Sequence, residues 1–138
     1  RRDPLRLQHS RELATPSNKT FLDNWAKKFG NSNNVHELAA ASYQGVMLWA
    51  EAVKLAKSVS RDEVVKAIET GISITGPGGK VTIDPQTHHA VLDVHNMEVR
   101  DQKLNVLQSI PQKGPIDTSM VCDLKKNPDS NVQHEIKI

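Results

Sequence analysis

The sequence predicts three helices followed by a three-stranded antiparallel meander, an α+β arrangement in 138 residues. Three observations predict it. Apolar residues recur at helical spacing from Phe21 to Phe29, and the run Ala40 to Ala56 is too long and too apolar to be anything but a buried helix. From Gly76 onward, turn formers alternate with β-favouring stretches.

Each element has a local reason. Thr15 is an N-cap and Pro16 a natural first helical residue, because its missing N–H would be unpaired there in any case. Phe21, Trp25 and Phe29, with Leu22 and Ala26 beside them, give helix one an apolar stripe, while Asp23, Lys27 and Lys28 face water. Gly30 supplies the left-handed stop, and residues 31–34 form a polar connector. Helix two runs from about Val35 to Ser58. Val35, Leu38, Ser42, Val46, Trp49 and Val53 make one row, which Ala39, Tyr43, Met47, Ala50 and Ala52 widen until only a narrow polar strip remains. Such a helix must be covered on two sides. The small residues from Ala39 to Ser42, together with Gly45, would let the backbone of a sheet approach closely. Helix three opens on a capping box, Ser60-Arg61-Asp62-Glu63, buries Val64, Val65 and Ile68, and ends at Gly71.

The glycine-rich loop Gly76-Pro77-Gly78-Gly79 then leads from helix into strand Lys80 to Asp84, where Val81 and Ile83 share a face and Asp84-Pro85 ends the run. A second strand covers Ala90 to Arg100 and a third Lys103 to Ile110, with Asp101-Gln102 as the tight turn between them. Ala90, Leu92 and Val94 share one face while Met97 and Val99 fall on the opposite parity, which places a bulge near Asn96. Pro111, Gly114 and Pro115 stop the third strand. Residues 118–138 are poor in apolar side chains and read as a loosely ordered tail.

With 18 basic and 16 acidic side chains the net charge is +2, and the basic residues are scattered, so nothing favours nucleic acid or an anionic membrane as partner. The lone Cys122 excludes an internal disulfide. No secretory apolar region is present, so an export signal would lie ahead of Arg1 or have been removed. His88, His89 and His95 are the tempting chemical group, but six residues of strand separate His89 from His95 by about 20 Å, too far for one metal ion. No zinc spacing includes Cys122 or Asp93. The Gly76 to Gly79 loop lacks the strand-to-helix order of a phosphate cradle, no serine sits in a nucleophile elbow, and neither Glu12 nor Glu37 has a partner carboxylate. No catalytic residue, metal site or cofactor is indicated.

Three blocks carry a resemblance: Thr15-Pro16-Ser17-Asn18-Lys19-Thr20-Phe21, Tyr43-Gln44-Gly45-Val46-Met47-Leu48-Trp49-Ala50, and Gly78-Gly79-Lys80-Val81-Thr82-Ile83-Asp84-Pro85 running into His88-His89. In this order and spacing they resemble the closing third of solute-binding proteins of the urea, short-chain amide and branched-chain amino acid type. The resemblance extends from about Leu13 to Asp117, with residues 1–12 left unplaced. It implies a periplasmic binding protein-like, two-lobed α/β clamp well over twice this length, of which the chain is a carboxy-terminal fragment. It also implies a non-enzymatic role in delivering a small solute to the membrane permease of an ABC transporter from an extracytoplasmic position.

Residues at the start of helix two then lie near the hinge and cleft. Leu38, Ser42 and Tyr43 are the candidate ligand contacts, Tyr43 because it offers an apolar ring with one polar tip. Because most of the lobe's sheet would be missing, helix 35–58 would expose an apolar surface that invites a partner, a rearrangement or self-association. A cytoplasmic amide sensor of the same fold and a stand-alone protein-interaction module are the alternative readings.

Overall fold

The computed structural model describes residues 5–7, 10–31, 35–116 and 121–132. The expected connector at 32–34 and parts of both ends, 1–4, 8–9, 117–120 and 133–138, lie outside the described residues. The elements run β1 (Leu5–Leu7), α1 (Pro16–Phe29), α2 (Glu37–Ala56), α3 (Arg61–Ile68), β2 (Ser73–Gly76), β3 (Gly79–Ile83), β4 (Ala90–Arg100) and β5 (Lys103–Lys113).

The three helices are where the sequence puts them. Thr15 caps α1 by accepting from the Asn18 amide at 3.2 Å, Pro16 is its first residue, and Gly30 closes it at φ 89°. Asn18, wholly buried, turns its Nδ2 back to the carbonyls of Ser10 and Leu13 at 3.1 and 2.9 Å, tying the entering loop to the helix. The stripe on α1 is graded: Phe21 is buried and Phe29 is exposed. Helix α2 starts two residues later than expected, capped by His36, whose Nδ1 accepts from the Leu38 amide at 3.2 Å.

The capping box of α3 does not form. The Ser60 amide, which Glu63 would have capped, instead donates to the Ser58 hydroxyl at 3.0 Å, and Glu63 pairs with Lys66 at 2.8 Å. The helix is also shorter than the three turns expected. It ends at Ile68, and Gly71, at φ 79°, belongs to the turn that follows.

The sheet is larger than the three-stranded meander. All pairings are antiparallel: β5 runs along one edge of β4, β3 and β1 share the other, and β2 lies outside β3. The unplaced amino-terminal residues thus supply β1, whose Leu5 pairs with Met97. The glycine loop is a β2–β3 hairpin turn, Gly76 pairing with Gly79, and not a helix-to-strand connection.

The β4–β5 hairpin has both turn residues, Asp101 and Gln102, at positive φ, which matches the twist of the strands they join. Register shifts at Asn96/Met97, where parity predicts a bulge, and again at Leu92/Val94. Pro111 does not stop β5, which continues to Lys113, because the outer edge of this strand demands no N–H for pairing among the described residues. Gln112 pins the irregular end: its backbone amide donates to Asp93 Oδ1 at 3.0 Å and its side-chain Nε2 donates to the Lys80 carbonyl at 2.9 Å.

Helices α2 and α3 enclose a small core of Ala52, Val64 and Ala67, with Val53, Ala56, Ile68 and Ile72 against it. On the sheet, Val81 and Met97 are buried, Met97 completely. In the tail, Asp123 Oδ1 accepts from the Lys125 and Lys126 amides, and the Leu124 amide donates to the Gln86 carbonyl at 2.8 Å.

An aspartate stands at each of the turns flanking β3, Asp93 at one and Asp84 at the other. Gly79 sits at φ 118°, and a Cβ there would meet the Asp93 carboxylate. Gly79→Ala should therefore lower stability by about 1–3 kcal/mol in thermal unfolding, the usual cost of such a backbone position. At the other turn, Asp84 Oδ1 accepts from the Gln86 and Thr87 amides at 2.9 and 2.8 Å and from the Thr87 hydroxyl at 2.9 Å. Burial pushes this carboxyl up, but the Thr87 and Gln86 donors outweigh it and, with His89, hold it below the usual carboxylate value. A depressed carboxyl stabilises above its unfolded value of about 3.9 and loses that contribution as pH falls through the folded value. Asp84→Asn keeps an acceptor and removes the titration, so denaturant melts between about pH 5 and pH 2 should show a shallower acid loss than wild type.

Candidate functional site

Helix α2 turns a row of four-residue spacing, Ala40, Gln44, Leu48 and Ala52, inward. The opposite row is exposed: Leu38 is 69% accessible, Val46 65% and Trp49 51%. The helix is therefore covered on one side only among the described residues, as the shortage of sheet led one to expect. The row that faces inward carries the helix's buried glutamine, while the more apolar row faces out.

The candidate ligand residues all lie in the first half of α2. Leu38 and Ser42, one turn apart, share the outward face. Tyr43 is 42% accessible and rests its ring on Phe21 of α1, with centroids 5.0 Å apart and planes at 47°. Phe21 in turn meets Trp25 at 6.0 Å, and Trp25 meets Phe29 at 4.5 Å, so an aromatic series runs from α2 along α1. The three candidates lie on neighbouring faces of α2 within its first two turns. They offer a methyl-rich surface, a hydroxyl and a phenol.

A second feature was not singled out from the sequence. The Gly78 amide donates to Gln44 Oε1 at 3.3 Å, and the Gly78 carbonyl lies 3.2 Å from His95 Nε2. A carbonyl only accepts, so Nε2 carries the proton, and in the neutral ring Nδ1 accepts from the Ser109 hydroxyl at 2.9 Å. One residue, Gly78, thus joins α2 to β4 through its amide and its carbonyl. Of the small residues expected to admit a close backbone, Ala40 is wholly buried, but a Cβ on Gly45 would meet nothing within 4 Å, whereas one on Gly76 would land on the Gln44 carboxamide. The legible signals were a glutamine four residues from both Ala40 and Leu48, and a histidine in a strand two residues from Met97.

The histidines are committed separately. His95 serves Gly78 and Ser109, His88 Nε2 pairs with Glu69 at 3.0 Å, and His89 Nδ1 donates to the Thr87 carbonyl at 2.9 Å. Among the described residues no three His, Cys, Asp or Glu side chains are grouped to hold a metal. Between α2, α3 and β3 lies a largely apolar cavity of about 240 Å³, walled by Gly45, Leu48, Trp49, Val65, Ile68, Ile83 and His88. No helix among the described residues is long and apolar enough to cross a membrane.

Residues 8–132 match the family model of the periplasmic binding protein domain. The chain belongs to this family. Its members are binding proteins and not enzymes. A solute binding protein of an ABC transporter from Rhodopseudomonas palustris HaA2, solved with p-hydroxybenzoic acid, is similar at a TM-score of 0.71 and 25% identity, over 80% of this chain and 31% of its own. A leucine binding protein from Thermotoga maritima gives 0.65 and 21%, over 78% and 30%. The closed leucine-, isoleucine-, valine-, threonine- and alanine-binding protein from Brucella ovis gives 0.69 and 17%, over 82% and 33%. No curated protein matches. The chain thus spans about a third of the length of these relatives. Its three helices and antiparallel sheet are a portion of the periplasmic binding protein-like fold.

Replacing His95 with leucine would keep the side chain buried and leave the Gly78 carbonyl without its donor. His95→Leu should cost about 1–3 kcal/mol in chemical unfolding. In the wild type, nitrogen-15 spectra at neutral pH should show His95 with its proton on Nε2.

Proposed function

We propose that this chain is the closing part of the solute-binding component of an ABC-type uptake system, acting outside the cytoplasm and handing its solute to a membrane permease. The observation that carries the reading is the family match across residues 8–132, together with a helix α2 left open on its apolar side. The mechanism is clamp closure: a solute bridging two lobes favours the closed form by its differential affinity, and the permease reads that form.

The named solutes of the similar structures, p-hydroxybenzoic acid and leucine, each carry a carboxylate on an apolar body. This supports a branched-chain amino acid or an aromatic acid over urea or a short amide. Leu38 and the Tyr43 ring would contact the apolar body, and Ser42 and the Tyr43 hydroxyl its polar end. Aromatic contact of this kind suits either solute.

Calorimetry tests the reading in two steps. The 138-residue chain alone should bind leucine and 4-hydroxybenzoate no more tightly than about 1 mM, since most of the clamp's length is elsewhere. The product of the complete reading frame should bind one of them in the micromolar range, and Tyr43→Ala should weaken that binding about tenfold. Submillimolar binding by the short chain, or none by the complete product, overturns the reading.

A further inference from the structure

We propose that Gln44 is a positioning residue that sets the rotation of α2, and with it the placement of Leu38, Ser42 and Tyr43; the inference rests on the solute-binding reading above. The inward row of α2 is otherwise Ala40, Leu48 and Ala52. Small apolar contacts of this kind are non-directional and leave a helix free to roll or slide. Gln44 supplies direction. Its carboxamide occupies the space that the missing Cβ of Gly76 leaves and accepts from the Gly78 amide. The carbonyl of the same residue, Gly78, is held by His95 on β4, so the joint is anchored in the centre of the sheet.

The magnitude matters for the site. A roll of about 20° on a cylinder of radius about 2.3 Å shifts each Cα by about 0.8 Å. Binding constellations need to be held within about 0.5 Å. A roll of this size on loss of the acceptor would misplace a contact face that Gln44 itself does not touch.

The test uses the product of the complete reading frame, titrated with leucine and with 4-hydroxybenzoate. Gln44→Met keeps length and volume but removes the acceptor. Gly76→Ala drives a methyl onto the same carboxamide from the other side. Val64→Ala weakens the α2–α3 core without touching the joint and serves as the stability control. Gln44→Met and Gly76→Ala should each raise Kd about tenfold for the solute that wild type binds, whereas Val64→Ala should change it less than about twofold at an equal or larger loss of Tm. An unchanged Kd in both joint variants, or a Kd that follows Tm equally in all three, overturns the inference while leaving the solute-binding reading standing. A wild type that binds neither probe overturns that reading, and the inference falls with it.

Discussion

The arrangement depends on one residue, Gly78. Gly78 gives its N–H to Gln44 and its carbonyl to His95, so a turn with no large side chain of its own joins the helical layer to the central strand. Each bond contributes only about 0.5–1.5 kcal/mol net, but a buried group left unpaired costs about 1–3 kcal/mol. That asymmetry makes the joint a stronger determinant of position than of total stability. The hydrophobic contacts around it set how tightly the layers adhere, and the two bonds set where.

What was legible in the sequence was mostly local chemistry. The cap at Thr15, the proline at the start of α1 and the left-handed Gly30 involve groups within one turn of one another. The Asp101-Gln102 turn and the bulge at Asn96 are also encoded within a few residues, the bulge through a change of parity along β4. β1 and β2 were not legible because three- and four-residue strands carry too little alternation, and for β1 the partner of Leu5 is the distant Met97. The capping box failed for a different reason. Its residues are right, but Ser58 competes for the same amide, and a pattern of four residues does not include its rival.

The candidate site was legible only in part. That α2 has two apolar sides, too many for the available sheet, follows from its composition. Which side lies inward does not, because Gln44 faces in while Leu38, Val46 and Trp49 face out. The directed polar contact on the inward side, from the Gly78 amide to Gln44, requires Gly76 and Gly78 to arrive from more than thirty residues away. Tyr43 stands out in the sequence as an apolar ring with one polar tip, yet its ring partner Phe21 is on another helix, beyond any helical period.

One edge of the sheet carries its own safeguard. β5, eleven residues long, pairs with β4 alone among the described residues, so its other edge is open, and Val106 and Leu107 are exposed. A flat, uncharged strand of that length would template stacking with other chains. Here Lys103 and Lys113 place like charges at its two ends, Pro111 removes an amide, and Gln112 bends the backbone through φ 49°. An incoming copy in antiparallel register would set lysine against lysine and meet a break in the ladder, so the irregular end of this strand protects the molecule from fibrous growth.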